Sequence, residues 1–113
     1  MILLSATFVA ADKVKIEIYI ESLCPDCQNM IEGSVFDAYN TPGFLDMAEV
    51  TFIPYGNARD PPYDLNFYCE NGTDECAYNM IESCGNKHIT DPSQRFGFIF
   101  CIEANIPSSW MNY

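Results

Sequence analysis

The pair Cys24 and Cys27 constrains the fold more than any other feature, because it lies between a predicted strand and a predicted helix. An alternating run over residues 14–21 predicts a β-strand before the pair, and apolar residues from Met30 to Ala38 fall near helical spacing after it. A cysteine at the start of a helix lies beside unpaired N–H groups and the positive end of the helix dipole, which favour its thiolate. The second cysteine follows about one turn later, within reach of a disulfide. The spacing predicts a redox dithiol with Cys24 as the nucleophile and Cys27 as the resolving thiol.

A CxxC pair has two interpretations other than redox chemistry. The pair could be half of a zinc site or a static disulfide. A zinc site needs a second close pair of ligands, but none of the remaining cysteines is spaced in that way: Cys69, Cys76, Cys84 and Cys101. We therefore expect no metal or cofactor, and keep a static disulfide as the alternative.

Composition narrows the class of protein. A chain of 113 residues is one small domain, and a hydrophobic fraction of 49% with eight Phe residues is enough for a packed core. Six cysteines in so short a chain indicate an oxidising compartment. The net charge of −11 argues against binding nucleic acid or an anionic membrane through a basic surface.

The first eleven residues have the features of a short secretory signal segment. Residues 1–11 are apolar and end in small side chains, although no Lys or Arg precedes them. An extra buried strand, or a signal shortened by a misplaced start codon, are the alternatives. The folded domain is then expected over residues 12–113, and no stretch is long enough for a transmembrane helix.

A second strand is predicted over residues 49–54, which are rich in β-branched and aromatic side chains. The turn formers of residues 40–43 end the preceding helix. Strand, helix and strand in this order predict a βαβ unit with parallel strands and a right-handed crossover. Because the first strand alternates with Lys15 and Glu17, we expect one of its faces to be partly open.

A further helix is predicted from Asp74 to about Cys84, with Gly85 after its end. Two cysteines eight residues apart on one helix are separated by about 12 Å, so Cys76 and Cys84 do not pair with each other. Two connectivities of the outer cysteines remain open: Cys69–Cys76 with Cys84–Cys101, or Cys69–Cys84 with Cys76–Cys101. Five residues form an apolar stripe expected to face the core: Cys76, Ala77, Met80, Ile81 and Cys84.

The last predicted helix has strong start and stop signals. Asp91 is its expected cap, Pro92 its first residue, and Gln94 stands where a capping box places its partner. Its residues are apolar on most sides, which requires burial, and Ile106-Pro107 ends it.

The sequence also predicts a role or a position for three single residues, Asn71, His88 and Asp26. Asn71 begins an Asn-Gly-Thr triplet, the acceptor pattern for N-glycosylation in an exported chain. His88 is interpreted as a surface or helix-end imidazole. Asp26 lies between the two cysteines, where its charge is expected to raise their pKa and favour a reducing couple.

Three stretches together resemble the gamma-interferon-inducible lysosomal thiol reductases. They are the CxxC after its strand, residues 50–58, and residues 69–84, which are similar to the family signature C-Q-H-G-x-x-E-C-x-x-N-x-x-x-x-C. Glu70 and Asn71 stand where the signature has Gln and His. The matches fall at Cys69, Gly72, Glu75, Cys76, Asn79 and Cys84.

The resemblance implies an α/β, thioredoxin-like fold with a disulfide-bearing helical insertion, which we place at about residues 64–113. The two C-terminal strands and last helix of that fold, with a cis-proline loop facing the CxxC, are expected to be missing from this chain. The implied activity is reduction of protein disulfides by Cys24 and Cys27 in acidic endosomes and lysosomes or after secretion, with an external small-molecule thiol as reductant. The alternative is a catalytically inert, secreted binding or immune-effector protein on the same scaffold.

Overall fold

The computed structural model of the protein describes residues 11–58 and 68–107. The predicted signal segment lies outside these residues except for Ala11, so its prediction is not addressed by the structure. The described elements are, in order, β1 (Val14–Tyr19), α1 (Pro25–Met30), a π-helical segment (Ile31–Val35), α2 (Phe36–Tyr39), α3 (Phe44–Met47), β2 (Ala48–Ile53), α4 (Thr73–His88) and α5 (Pro92–Asn105).

The two strands are parallel, as the strand–helix–strand order predicts. Their register runs from Val14 opposite Ala48 to Tyr19 opposite Ile53. Every second residue of β2 is buried, whereas β1 has no fully buried residue and alternates between exposed and half-buried positions. The open face expected for β1 is therefore present in the structure.

The helical stretch after the cysteines continues from Pro25 to Tyr39, with a π-helical segment in the middle. Ile31 and Val35, at the two ends of that segment, are both buried. The stretch stops at the predicted turn, where Gly43 has a φ of 85°, a left-handed conformation that glycine adopts without strain.

The core lies between β2, the helical stretch after the cysteines, and α5. Tyr39 stacks on Phe96 with ring centroids 4.0 Å apart, and Phe52 of β2 lies 6.1 Å from Phe96. Buried aromatic side chains stabilise a small domain strongly, because each removes a large apolar area from water. The buried apolar residues that form the cluster are Ile20, Ile31, Val35, Ala48, Val50, Phe52, Phe96 and Ile99.

Helix α4 corrects two predictions. It does not end before Gly85 but continues to His88, and the absence of a side chain at Gly85 leaves room for the Phe98 ring of α5. The predicted apolar stripe is also wrong: Met80, Ile81 and Cys84 are exposed. The buried face is polar and consists of Glu75, Asn79, Glu82 and Gly85.

Helix α5 begins and ends as predicted. The Gln94 N–H donates to Asp91 Oδ1 at 2.8 Å, and Pro92 is the first helical residue. The helix ends at Asn105, before Pro107. His88 lies exposed in the last turn of α4, which agrees with its predicted helix-end position. No helix in the described ranges is long and apolar enough to cross a membrane.

Candidate redox site

Cys24 and Cys27 lie together at the junction of β1 and α1. Cys24 is the N-cap of α1, with extended backbone angles, and Pro25 is the first helical residue. The Cys24 N–H donates to the Glu21 carbonyl at 3.0 Å, and the Cys24 carbonyl accepts from the Gln28 N–H at 3.0 Å. Both sulfurs are half-buried free thiols. The geometry gives a partly accessible dithiol at a helix start, the arrangement predicted from the spacing.

The two thiols differ in their surroundings. Burial raises the pKa of the Cys27 thiol to about 12, although a hydrogen bond from the Glu21 backbone opposes the shift. A hydrogen bond with Cys24, and the charges of Cys24 and Glu103, raise it further. Cys27 is therefore a protonated thiol at neutral pH. Asp26 is exposed between the two cysteines, and its expected effect on their pKa stays a prediction.

The loop before Cys24 is held by the polar face of α4. The Ser22 N–H donates to Asn79 Oδ1 at 3.0 Å, and Ser22 Oγ donates to the Glu75 carbonyl at 3.2 Å. On the other side, Gln28 Nε2 donates to the Ser22 carbonyl at 3.0 Å. All four residues are buried. Since buried polar groups must be satisfied, these bonds fix the backbone two residues before the first cysteine.

The segment after β2 holds the same loop from a second direction. The Asn57 N–H donates to Glu21 Oε1 at 2.7 Å, and the Gly56 N–H donates to the Ile20 carbonyl at 3.0 Å. Tyr55, which has a positive φ of 68°, donates its hydroxyl to the Cys76 carbonyl at 2.9 Å. Burial raises the pKa of Glu21, opposed by the Asn57 N–H. Residues 50–58, one of the three stretches that resemble the family, thus connect β2, α4 and the loop before Cys24.

A disulfide joins Cys69 to Cys76, with Cα atoms 5.7 Å apart. Inside this small ring the Asn71 N–H and Nδ2 donate to the two carboxylate oxygens of Glu75, at 3.2 and 2.6 Å. Asn79 Nδ2 contacts Cys69 Sγ at 3.9 Å. Four of the signature residues, Cys69, Glu75, Cys76 and Asn79, therefore form one structural unit at the start of α4, and that unit holds the loop before Cys24.

Of the two predicted connectivities, the first is half present, because Cys69–Cys76 is bridged but Cys84–Cys101 is not, and the second is wrong. Cys84 and Cys101 are free, exposed thiols on α4 and α5. The reason is the rotation of both helices: their buried faces carry Glu82, Gly85, Ile99 and Glu103, so the cysteine positions point away from the core.

Two buried carboxyls, Glu82 and Glu103, were missed by the sequence reasoning. Their relative exposures are 0% and 1%, and none of their four carboxylate oxygens has a hydrogen-bond donor in the described chain. Burial raises the pKa of both carboxyls above their usual range. A sequence signal existed: Glu103 is an acidic residue inside an otherwise apolar helix, and Glu82 shares a helix face with Glu75 and Asn79.

In residues 11–58 and 68–107 no group of three or more His, Cys, Asp or Glu side chains is arranged to hold a metal ion. A parallel strand pair with free thiols at a helix start is the arrangement of proteins that exchange thiols and disulfides. A family model described as gamma interferon inducible lysosomal thiol reductase (GILT) matches residues 15–112, and the chain belongs to this family.

Curated relatives agree with the family match. GILT-like protein 1 of Drosophila melanogaster is 37% identical over 111 residues, covering 88% of this chain and 44% of that protein. The gamma-interferon-responsive lysosomal thiol protein of Arabidopsis thaliana is 34% identical, covering 82% of this chain and 39% of that protein. The gamma-interferon-inducible lysosomal thiol reductase of Carassius auratus is also 34% identical, covering 83% and 37%. The chain spans less than half the length of these relatives.

Proposed function

We propose that this chain is a thiol–disulfide oxidoreductase that reduces disulfides in protein substrates through Cys24 and Cys27. The observation that carries the proposal is the pair of free, half-buried thiols one helical turn apart at the N-terminus of α1, in a chain of the GILT family. The hydrogen bonds from α4 and from the segment after β2 support it, because they hold the loop before Cys24 from two directions.

The reaction is a two-electron exchange between the dithiol and one substrate disulfide. Cys24, as its thiolate, attacks one substrate sulfur; the substrate S–S bond breaks, and the leaving thiolate takes up a proton. Cys27 then loses its proton and attacks the Cys24 sulfur of the mixed disulfide. This releases the second substrate thiol and leaves Cys24 and Cys27 joined in a disulfide. An external small-molecule thiol reduces that disulfide and returns the dithiol to its starting state.

The two thiols suit these two roles. Cys24 lies at the helix N-terminus, where the unpaired N–H groups and the helix dipole favour an anion. The raised pKa of Cys27 keeps it a thiol until the mixed disulfide forms, so it does not compete for substrate.

We infer a thioredoxin-like domain with α4 and α5 as its helical insertion, and an acidic endosomal, lysosomal or extracellular setting. The βαβ unit with a dithiol at its helix start supports the first inference. The setting is supported by the Cys69–Cys76 disulfide, which is typical of oxidising compartments, and by the relatives whose names call them lysosomal.

Insulin-disulfide reduction at about pH 5 and about pH 7, beside a circular dichroism melt of the same sample, tests the proposal. We expect Cys24→Ser to abolish reduction and Cys27→Ser to accumulate a mixed disulfide with substrate, visible on a non-reducing gel. Cys84→Ser removes an exposed free thiol and is the matched control, which should retain activity.

A folded chain that reduces no disulfide, and whose Cys27→Ser variant traps no substrate, would overturn the proposal. In that case a Cys24–Cys27 pair that stays oxidised, together with a biological effect that survives Cys24→Ser, would identify the alternative: an inert binding or immune-effector protein.

A further inference from the structure

Strand β1 has one edge that no other described strand covers. Within the described residues the sheet has two strands, and β1 pairs with β2 alone. The Ile20 N–H donates to the Ile53 carbonyl and the Ile20 carbonyl accepts from the Gly56 N–H, so the backbone groups of Ile20 face β2. Because the backbone groups of successive strand residues point to opposite sides, those of Lys15 and Glu17 point to the uncovered edge. This edge presents donors and acceptors that a further strand can bind.

The core-facing side chains of β1 are also less covered than those of β2. Val50 and Phe52 of β2 are 5% and 2% exposed, whereas Val14 of β1 is 65% exposed. Ile16 and Ile18, which pack against the core from the same face, are only half-buried. A sheet of two strands is marginally stable, and a partner strand beside β1 satisfies its edge and covers these apolar side chains.

The charges of β1 make the strand complementary to itself. When two copies of β1 pair antiparallel about an axis through Ile16, Lys15 of each copy lies opposite the partner's Glu17. The backbone groups of both residues face the edge, so each such pair exchanges both of its N–H···O bonds. Lys15 already lies opposite Glu49, an exposed carboxylate of β2, so in this register it stands between two carboxylates. The half-buried Ile16 meets the partner's Ile16 on the apolar face.

The neighbouring registers are unfavourable. The next register that keeps the backbone groups aligned places Lys15 opposite the partner's Lys15 in one direction, and Glu17 opposite the partner's Glu17 in the other. Like charges directly opposite each other destabilise a strand pair. Lysine on an edge strand commonly prevents pairing, but a glutamate two residues further along turns the same lysine into a contact that selects one register.

We propose that two copies of this chain form a dimer by antiparallel pairing of their β1 edges. The two β1 strands become the central pair of a four-stranded sheet, with a two-fold axis perpendicular to the sheet at Ile16. This symmetry keeps the polar faces of both copies on one side of the sheet and their helices on the other. Each copy contributes the same surface, so the association closes at two chains.

The dimer does not bring the two dithiols together. β1 leads toward Cys24, and because the central strands are antiparallel, the two cysteine pairs lie at opposite ends of the new sheet. The proposal is therefore independent of the proposed function, and variants that separate the copies are expected to keep the thiol chemistry of each chain.

Sedimentation equilibrium of the full chain measures the association. It is performed at about 0.15 M salt, where repulsion between two chains of net charge −11 is screened beyond about 8 Å. We expect the mass to rise reversibly with concentration from 12.8 kDa to twice that value. On a non-reducing denaturing gel the chain should run as a single copy, since no thiol joins the two. A chain that stays monomeric up to about 1 mM, or a dimer held by a disulfide, would overturn the proposal.

Charge exchange at Lys15 and Glu17 tests the register. Lys15→Glu and Glu17→Lys each place like charges opposite each other twice, and should weaken the dimer at least about tenfold. Lys15→Glu/Glu17→Lys should restore it, and the two single variants should associate when mixed, because each supplies the charge that the other lacks. This recovery separates charge pairing from loss of the hydrogen bond that the Tyr19 hydroxyl donates to Glu17, which both Glu17 variants lack.

Asp37→Lys is the matched control. Asp37 is exposed on α2, and its replacement changes the net charge as much as Glu17→Lys does, so association should be unchanged. Equal association of all the variants, or no recovery in the double variant, would contradict pairing through β1.

Amide hydrogen exchange of the unaltered chain provides a test that needs no variant. The N–H groups of Ile16 and Ile18 face β2 and should exchange slowly at every concentration, whereas those of Lys15 and Glu17 should become protected only as the dimer forms. Protection of Lys15 and Glu17 in a dilute, monomeric sample would show that another segment of the same chain covers the edge. That result would refute the dimer.

Discussion

At the scale of single residues, Asn79 connects the helical unit to the dithiol. It is fully buried, its Oδ1 accepts the Ser22 N–H at 3.0 Å, and Ser22 lies two residues before Cys24. The conformation of the loop before Cys24 therefore depends on a side chain more than fifty residues away in the sequence.

We predict that Asn79→Ala lowers the free energy of unfolding by about 1–3 kcal/mol, because it leaves the buried Ser22 N–H without an acceptor. Insulin reduction should fall by a larger factor than the fraction of unfolded chain explains, since the loop before Cys24 loses its anchor. Denaturant unfolding and the reduction assay on the same preparations measure both effects. Asn40→Ala, which removes an exposed hydrogen bond to the Phe36 carbonyl, is the control. Equal losses in the two variants would contradict the prediction.

The residues of the site differ in how far the sequence predicts them. Cys24 and Cys27 are predictable because their chemistry depends on a local spacing at a strand–helix junction. The roles of Ser22, Glu82 and Glu103 are not, since an isolated polar residue is most simply interpreted as solvent-exposed. Only the packing of α4 and α5 shows that these three are buried.

At the scale of secondary-structure elements, the contact between α4 and α5 depends on a glycine. A Cβ built at Gly85 would overlap the Phe98 ring, whereas a Cβ at Gly97 of α5 would meet nothing within 4 Å.

We predict that Gly85→Ala destabilises the chain by about 1–3 kcal/mol through overpacking. Gly97→Ala should instead be neutral or stabilising by up to about 1 kcal/mol, because alanine has the higher helix propensity at an exposed position. Thermal melts of the two variants and of the parent chain measure these changes in stability. A stabilising Gly85→Ala would show that the two helices do not pack as described.

The Cys69–Cys76 disulfide is the second determinant of α4. It closes a ring with a sequence separation of 7, for which chain entropy alone predicts a stabilisation of about 2–3 kcal/mol. We predict a loss of that size in Cys69→Ala/Cys76→Ala, measured by denaturant unfolding without reductant. Cys84→Ala at an exposed free thiol should change little. A double variant as stable as the parent chain would show that the Cys69–Cys76 disulfide does not stabilise the fold.

Element prediction succeeds here where local signals agree with the tertiary structure. The βαβ unit, the turn at residues 40–43 and the cap at Asp91 all follow from local patterns, and all are present. Helix α4 is the exception, because a glycine at position 85 predicts a helix end when only the local sequence is considered. Asn79 on its buried face accepts a hydrogen bond from the backbone of the loop before Cys24, a requirement that the periodicity of α4 itself does not show.

At the scale of the whole molecule, the buried acids relate stability to pH. Glu21, Glu82 and Glu103 all have a raised pKa in the folded chain, mainly through burial. The folded state then binds more protons than the unfolded state once the pH exceeds the unfolded pKa, so stability is greatest below that value and falls as pH rises.

We predict a higher melting temperature at about pH 5 than at about pH 8. For Glu82, whose pKa moves from 4.5 to about 7, the stability lost across this window is on the order of 3 kcal/mol. Glu82→Gln should flatten the dependence, whereas Glu49→Gln should not. A chain that melts at a higher temperature at pH 8 would contradict this assignment.

The net charge of −11 acts in the same direction, because protonation of exposed carboxylates at acid pH reduces repulsion across the whole surface. The composition alone gives the net negative charge and, through its six cysteines, indicates an oxidising compartment. The contribution of the buried carboxyls to the pH dependence of stability could be predicted only from the structure, because burial is a property of the packed molecule and not of the amino-acid content.

The hydrogen bond between Asn71 and Glu75 has a consequence for the order of biosynthetic events. Asn71 Nδ2 donates to Glu75 at 2.6 Å inside the ring closed by Cys69 and Cys76. A glycan on Asn71 would be attached to that same nitrogen. We expect transfer to this triplet to be easier before the ring closes, because Asn71 Nδ2 is then not engaged with Glu75. Glycan occupancy at Asn71 would then record which event came first in the nascent chain, sugar transfer or disulfide formation.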